Sequence, residues 1–390
     1  MRSYFAEKNF LLLYLYRMFY RASSALIHIF TGTYLVHTGV PISTVILFYA
    51  LTVFVIALTS PIGVASVIKY GLKKSAVFSV LFRTSFFLLF LLVEQGYDLL
   101  LWPAAIIWGA TFGILPVRDI MEAVYIKKDH HRGKQMTMAM VLSSLLVGLA
   151  IAFAGYLLPI YGFISIVILS VILQIGSVWA LLQMKGEPLH IEDYKIKNGF
   201  KIAIQKNPLK GSFSLVWGEQ MMLSVFTIII PLYIFNVIGN IQSYAFLAAG
   251  ATALEAGSTL IFGRFLDNSK GSRAHKQSAV MMLLSSIFLI FFVKTPLSAL
   301  LADSYNRIAL NTQIATCNTA IHKILRSKDT GKLLLFGAIW QMTHSFFEVF
   351  FLLALALIYY YFGFVVFTVA FTCSALGALI NYNFFRKRNQ

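Results

Sequence analysis

Long apolar stretches separated by short polar loops run through the whole chain. Each stretch has the roughly 20 residues that a helix needs to cross a hydrocarbon core about 30 Å thick. The runs are continuously apolar, whereas the strands of a membrane barrel alternate over about ten residues. The pattern therefore predicts an all-α polytopic membrane protein. Its twelve predicted spans are 10–36, 43–68, 75–93, 101–124, 136–158, 163–184, 212–236, 242–263, 277–294, 297–321, 333–358 and 363–385.

Landmarks of the first six stretches recur in the second six, about 200 residues later. The recurring pairs are Gly63 and Gly71 with Gly263 and Gly271, Gly133 with Gly331, and Gly162 with Gly363. A repeat of this size predicts two six-helix bundles, at 1–184 and 212–390, joined by a linker at 185–211. Many secondary transporters are built from two such halves around a central site.

Composition and charge agree with a membrane protein. Apolar residues make up 59% of the chain and charged residues 12%, against about 25% charged residues in soluble domains. The formal net charge of +17 would favour a nucleic-acid partner in a soluble protein. Here the Lys and Arg residues concentrate in the tails and in the loops after even-numbered spans, while one odd-numbered loop carries Glu94 and Asp98. This asymmetry predicts a protein of a cell membrane, inner or plasma, with both termini in the cytoplasm. The expected partner is the lipid bilayer, and no nucleic acid is expected.

The loops after spans 2 and 8 share a pattern of glycines and basic residues. The first contains Gly63, Lys69 and Gly71, and the second contains Gly263, Asp267 and Gly271. With twelve spans in a 6+6 repeat, this pattern resembles the major facilitator superfamily, over essentially the whole chain. The resemblance implies two pseudo-symmetric bundles, a cavity lined by spans 1, 4, 7 and 10, and a cytoplasmic gate at these two loops. The first loop departs from the family pattern, because Val67 and Ile68 occupy the place of its aspartate.

Charged residues inside the spans of the first half are the next candidates, because each is costly in hydrocarbon unless it is paired or hydrated. Span 1 carries Arg17, Arg21, Ser24 and His28 on one helical face, and span 4 carries Arg118, Asp119 and Glu122. The resemblance implies that the span 1 arginines meet the span 4 acids, and that span 3, with Arg83, is peripheral. The cluster is either a structural and gating salt-bridge network or a site that offers arginines to an anionic group.

The second half is richer in acids. Its candidates are Glu219 in span 7, Glu255 in span 8, Asp303 and Arg307 in span 10, and His344 and Glu348 in span 11. A histidine and a carboxylate one helical turn apart can exchange a proton near neutral pH. We therefore expect proton coupling at Glu348 with His344, and treat Glu255 and Glu219 as further candidates. The alternatives are a hydrogen-bonded packing pair and a metal site, but two ligands at helical spacing are weak evidence for a metal, and we predict none.

The sequence contains no GxxxxGK[ST] phosphate loop, and no pairing of a nucleophile with a base stands out. We therefore expect no ATP hydrolysis, no other enzymatic activity and no cofactor. The sequence predicts a secondary active transporter of a small organic solute that works by alternating access as a monomer. Proton-coupled export of an amphiphilic compound ranks first. The alternatives are an importer of an organic anion and a non-transporting membrane protein, such as a lipid scramblase or a membrane enzyme.

Overall fold

The computed structural model describes residues 8–114, 132–184, 213–268, 271–325 and 330–388. These ranges are helical apart from short turns, and they contain no strand. The helices are α1 (Lys8–His37), α2 (Ile42–Tyr70), α3 (Leu72–Glu94), α4 (Leu101–Gly113, its described part), α5 (Arg132–Tyr161), α6 (Ile164–Gln183), α7 (Phe213–Ser224, Val225–Ile229 and Ile230–Ile238), α8 (Ile241–Asn268), α9 (Gly271–Phe291), α10 (Pro296–Leu325), α11 (Thr330–Phe362) and α12 (Val365–Arg388). Each predicted span coincides with one helix, so the predicted fold class is confirmed. The predicted linker lies outside the described residues.

Seven of these helices are long and apolar enough to cross a membrane: α2, α3, α5, α6, α7, α11 and α12. Two more, α4 and α9, are apolar but shorter in their described parts. The other three, α1, α8 and α10, carry buried polar side chains such as Ser23, Glu255 and Arg307, which lower their hydropathy. The chain is a multi-pass membrane protein, and these polar side chains lie inside the bundle.

Helix packing is repeated between the two halves. In the first half α1 packs on α5 and α6, α2 packs on α4, and α3 packs on α4 and α6. In the second half α7 packs on α11 and α12, α8 packs on α10, and α9 packs on α10 and α12. Raising each helix number by six converts the first set of contacts into the second. The repeat seen in the sequence is therefore an internal structural repeat.

Four glycine turns repeat in the same way. Gly39 (φ 94°) and Gly239 (φ 69°) follow α1 and α7, and Gly162 (φ 65°) and Gly363 (φ 58°) follow α5 and α11. Only glycine adopts a positive φ without a steric penalty, so each half needs glycine at these two turns. All four turns lie on the side of the molecule away from the loops that follow even-numbered helices. We call the side with those loops the basic side, and the other the opposite side.

The two halves meet mainly through two helix pairs, α2 with α11 and α5 with α8. Raising the helix numbers of one pair by six, and counting on from α12 to α1, gives the other pair. Small residues bring α5 and α8 close together: a Cβ added at Gly155 would overlap Ala245, and one at Gly148 would lie 3.5 Å from the carbonyl oxygen of Ala249. Lipid-embedded helices associate through such close packing of small residues. On the opposite side the ends of α1 and α7 also meet, with the rings of His37 and Phe235 6.2 Å apart.

The connection between α2 and α3 is shorter than predicted. The predicted spans leave a six-residue loop at 69–74, whereas Gly71 (φ 80°) alone separates the two helices. The hydroxyls of Ser66 and Ser75 lie 2.8 Å apart across this turn. Gly63 is not in the turn but inside α2, where an added Cβ would lie 2.6 Å from the carbonyl oxygen of Gly113. One glycine therefore turns the chain, and the other lets α2 pack against α4.

The second candidate gate segment is arranged similarly. Gly263 and Asp267 lie inside α8, and Gly271 is the first residue of α9. Only 269–270 separate the two helices, and these two residues lie outside the described part. Lys69, at the end of α2, is exposed and places its Nζ 5.1 Å from the centroid of the Tyr70 ring. The gate role of all six residues remains a prediction.

Candidate functional site

The first half buries an arginine at its centre. Arg83 of α3 has no exposed surface; it donates to Ser24 Oγ at 2.9 Å and to the hydroxyl of Tyr20, both on α1. Its guanidinium carbon lies 4.5 Å from the ring centroid of Tyr20 and 4.6 Å from that of Phe112, which are cation–π distances. Span 3 was expected to be peripheral, and α3 does expose Phe78, Leu81 and Leu88, but Arg83 points inward, where α1 and α4 enclose it. No acid pairs with it in the described residues.

The predicted polar stripe on α1 separates into two environments. His28 lies in an aromatic cluster, 5.1 Å from the ring centroid of Trp108 and 5.3 Å from that of Phe112. Arg17 and Arg21, nearer the basic side, are half-buried. The acids expected to meet them, Asp119 and Glu122, lie outside the described residues together with Arg118. The pairing of the span 1 arginines with the span 4 acids therefore remains a prediction.

A second buried arginine organises the other half. Arg307 Nε donates to Asp303 Oδ2 at 2.9 Å on the same helix, α10. Its Nη1 lies 3.7 Å from Glu255 Oε2 and 3.4 Å from Thr252 Oγ1, both on α8. The ring centroid of Phe226, on α7, lies 5.2 Å from the guanidinium carbon. Arg307 thus joins three helices, and its side chain and its polar partners Asp303, Glu255 and Thr252 are all buried.

Glu255 belongs to this network and also connects the two halves. Its Oε1 accepts a hydrogen bond from Asn311 Nδ2 at 2.5 Å and one from Ser144 Oγ at 3.4 Å. Ser144 lies on α5, in the first half, one turn before the close contact at Gly148. A movement of the halves that separates α5 from α8 would therefore break a hydrogen bond to a buried carboxylate.

Glu348 lies between α11 and α7. Gln220 Nε2 donates to its Oε2 at 2.8 Å, and Ser224 Oγ donates to its Oε1 at 3.0 Å. Both donors are neutral, and no lysine, arginine or histidine of the described chain forms an ion pair with this carboxylate. Glu348 is half-buried, and its partners in the described chain are these two neutral side chains.

His344 and Glu348 have different partners in the structure, and their joint role in proton coupling remains a prediction. His344 Nε2 faces Glu219 Oε2 of α7 at 3.7 Å, and its ring is 4.7 Å from that of Trp340. The two residues are one turn apart on α11, but α7 runs alongside and offers each a different partner. The result is two levels between α7 and α11: Glu219 with His344, and Gln220 and Ser224 with Glu348.

A π-helical turn at Val225–Ile229 interrupts α7 directly after Ser224. Pro231 follows, and because proline has no N–H, the hydrogen-bonding pattern of the preceding turn cannot continue as a regular α-helix. The extra residue of a π-turn rotates the helix on either side of it. Gln220 and Ser224, before this turn, face Glu348, and Phe226, within it, faces Arg307. Turns of this kind occur frequently at functional sites.

Several residues of these clusters were not predicted as site residues, because each is an ordinary polar or aromatic position in its stretch. They are Tyr20, Arg83, Ser144, Gln220, Ser224, Phe226 and Asn311. The spacing of Gln220 and Ser224, four apart on the helix that carries Glu219, is the one signal that could have indicated a polar face on α7. In the described ranges, no three His, Cys, Asp or Glu side chains come together as a metal site would require.

Neither a protein-family model nor a curated protein sequence matches the chain. Solved structures do match it. The chain is similar to a bacterial homologue of the iron transporter ferroportin in an outward-facing state, with 14% sequence identity and a TM-score of 0.70, over 97% of this chain and 98% of the other. It is similar to the nucleoside transporter NupG, with 12% identity and a TM-score of 0.70, over 97% and 99% of the two chains.

A third structure is the major facilitator superfamily transporter FucP in its outward conformation, with 11% identity and a TM-score of 0.71, over 98% of this chain and all of the other (100%). Two six-helix halves, related by a repeat and packed through equivalent helix pairs, define the architectural class of the chain. The likeness to these structures makes the fold specific: the chain has the major facilitator fold, as the sequence predicted.

Proposed function

We propose that the chain is a secondary active transporter that moves a small organic solute by alternating access, working as a monomer. The fold supports this proposal, since two symmetric halves meet along α2–α11 and α5–α8 and can rock about those contacts. Two of the buried polar clusters include helices that take part in these contacts. The Arg307 cluster includes α8, and the Glu348 cluster includes α11. A membrane enzyme or a lipid scramblase would not need this arrangement of two halves.

Protons are the proposed driving ion. The environment of Glu348 is the observation that supports this part of the proposal. A proton carrier needs a group that takes up and releases a proton as the cavity opens to each side. Glu348 is half-buried between α7 and α11, and within the described structure its hydrogen-bond partners are neutral. It is therefore the group that we propose takes up and releases the proton. Glu255 is the second candidate, because its partners include Arg307 and the Ser144 hydroxyl of the other half.

Export is the proposed direction. The proton gradient across an energised cell membrane is directed inward. A carrier that takes up a proton as it releases its solute will therefore move the solute outward. Aromatic rings on the same two helices, Trp340 against His344 and Trp217 against Phe347, support an amphiphilic solute.

Two experiments test the proposal in sequence. A thermal-shift screen of the purified protein against metabolites and drugs identifies a ligand, because a ligand of the folded state stabilises it by mass action. Counterflow of that solute is then measured in proteoliposomes, with and without a pH gradient. The wild-type protein should exchange labelled solute and accumulate it against its gradient when a pH gradient is imposed.

Glu348→Gln should keep exchange but lose accumulation, because exchange requires no net movement of protons. Asp98→Asn changes an exposed acid on the opposite side and should leave both activities unchanged. Full pH-driven accumulation by Glu348→Gln would make the Glu348 cluster structural and Glu255 the next candidate. Chemical conversion of the solute would indicate an enzyme, and lipid movement without solute exchange would indicate a scramblase.

A further inference from the structure

Two side chains of α7 hold the carboxylate of Glu348, and both are shielded from solvent. Gln220 is 6% exposed, and Ser224 has no exposed surface. Gln220 Nε2 donates to Glu348 Oε2 at 2.8 Å, and Ser224 Oγ donates to Glu348 Oε1 at 3.0 Å. Each carboxylate oxygen therefore has a donor of its own, supplied by the neighbouring helix.

The same two groups can also serve the protonated acid. A hydroxyl has two lone pairs besides its O–H, and a carboxamide has a carbonyl oxygen beside its NH₂ group. When Glu348 is protonated, its O–H can donate to Ser224 Oγ once the hydroxyl hydrogen rotates, while Gln220 still donates to the other oxygen. A lysine or arginine in either place would favour the ionised form alone, because an ammonium or a guanidinium group accepts no hydrogen bond.

The charged side chains nearby on α7, α10 and α11 face other partners. His344 lies one turn from Glu348 on α11 and faces Glu219 of α7, nearer the basic side. Arg307 of α10 contacts α7 at Phe226 and is engaged with its own two acids. Within the described chain, the side chains that contact Glu348 through hydrogen bonds are therefore the two neutral donors.

The two other helices that pack on α11 bring no charge to the level of Glu348. These helices are α2 and α12. Their charged residues lie at their ends on the basic side, and are Lys69, Arg386, Lys387 and Arg388. Tyr382 of α12 packs against the apolar cluster that contains Met222 and Met282. The balance between the ionised and the protonated acid therefore depends on the donors from α7.

We propose that Gln220 and Ser224 are positioning residues that set the pH at which Glu348 takes up and releases its proton. This inference rests on the proposed function, in which Glu348 carries the driving proton, and it names the groups that regulate that site. A hydrogen-bond donor stabilises an ionised carboxylate more than the protonated acid. Loss of either donor therefore shifts the titration of Glu348 to higher pH.

This titration can be followed without any solute. The purified full-length protein is reconstituted into lipid bilayers, and infrared difference spectra are recorded as the pH is raised from about 4 to about 10. The carbonyl stretch of a protonated carboxyl group disappears as that group ionises. The part of this signal that is missing in Glu348→Gln belongs to Glu348, and its midpoint is the quantity compared between variants.

Three variants remove or weaken one donor at a time. Ser224→Ala and Gln220→Met should each raise the midpoint by about one pH unit, which is the effect expected for one hydrogen bond to a charged group. Ser224→Cys keeps nearly the same shape and has a weaker donor, so it should raise the midpoint less than Ser224→Ala does. Where Ser224→Ala does not fold, the shift of Ser224→Cys tests the same bond.

Thr343→Val is the matched control on α11. Its hydroxyl donates to the backbone oxygen of Ile339 at 2.8 Å and makes no contact with Glu348, so this variant should keep the wild-type midpoint. The inference is overturned if Ser224→Ala or Gln220→Met leaves the midpoint at the wild-type value or lowers it. It is also overturned if Thr343→Val raises the midpoint as much as they do, or if Glu348 contributes no titrating signal.

Failure of the inference can be separated from failure of the proposed function, because the spectra require no transport. Unchanged midpoints, together with loss of pH-driven accumulation in Glu348→Gln, would refute the role of the two donors and leave the transporter proposal standing. Raised midpoints, together with full accumulation in Glu348→Gln, would support the role of the donors and remove Glu348 from proton coupling.

Discussion

Removing the charge of Arg307 should destabilise the protein strongly. Its guanidinium lies 2.9 Å from Asp303 and 3.7 Å from Glu255, and the side chains of all three are less than a tenth exposed. Arg307→Met therefore leaves two buried carboxylates without their cation. Breaking a buried ion pair from one side costs about 3–5 kcal/mol, and we expect a loss of that size in the free energy of unfolding.

The double variant with Asp303→Asn separates pairing from packing. Because Arg307→Met already removes the partner of Asp303, the additional change should cost much less than it does in the wild-type background. We expect the double variant to be more stable than the sum of the single losses predicts, by about 1.5 kcal/mol or more. Unfolding is followed by circular dichroism as SDS is titrated into mixed micelles.

A matched cycle provides the control. Arg83→Met with Asp303→Asn combines a buried arginine and a buried acid from different halves, without a described contact between them. Their effects should add to within about 0.5 kcal/mol. If the Arg307–Asp303 cycle is also additive to that precision, the ionic network does not stabilise the second half in the way argued here.

Three further results are expected. Gly155→Leu should push α5 away from Ala245, lower the free energy of unfolding by about 1–3 kcal/mol through overpacking, and reduce solute exchange. Normal exchange together with normal thermal stability would contradict the close packing. Arg83→Lys should lower the melting temperature more than Arg83→Met, since lysine keeps a buried charge but loses the planar donors and ring stacking of arginine; the reverse order would show that stacking does not hold the side chain. Cysteines introduced at Asp98 and Lys328 should react with impermeant reagents from opposite sides of the membrane, and labelling from the same side would overturn the topology.

The helices and the repeat could be predicted from the sequence because each depends on local properties. Continuous apolar length defines a membrane helix whatever its neighbours are. The glycines at 162 and 363 mark equivalent turns because a positive φ excludes most other residues. Charge asymmetry between loops gave an orientation in the same local way, and that orientation remains a prediction.

The composition of the site could not be predicted in the same way, because it depends on which helices face one another. Helical spacing correctly placed His344 and Glu348 one turn apart on α11. It could not indicate that α7 would supply Glu219 to the first, and Gln220 and Ser224 to the second. Likewise helix number could not indicate that Arg83, on span 3, would face Tyr20 and Ser24 of α1.

Alternating access is the central claim, and distances between the halves test it without knowledge of the substrate. In a cysteine-free background, spin labels are placed at Thr38 and Asn240 on the opposite side, and at Lys74 and Lys276 on the basic side; all four positions are exposed. Pulsed electron–electron resonance is recorded in nanodiscs at about pH 5 and about pH 8. The distance between the labels at 38 and 240 should lengthen as the distance between those at 74 and 276 shortens, or the reverse. Glu348→Gln should abolish the response of both distances to pH. Two distances that stay fixed, or that change in the same direction, would contradict the claim.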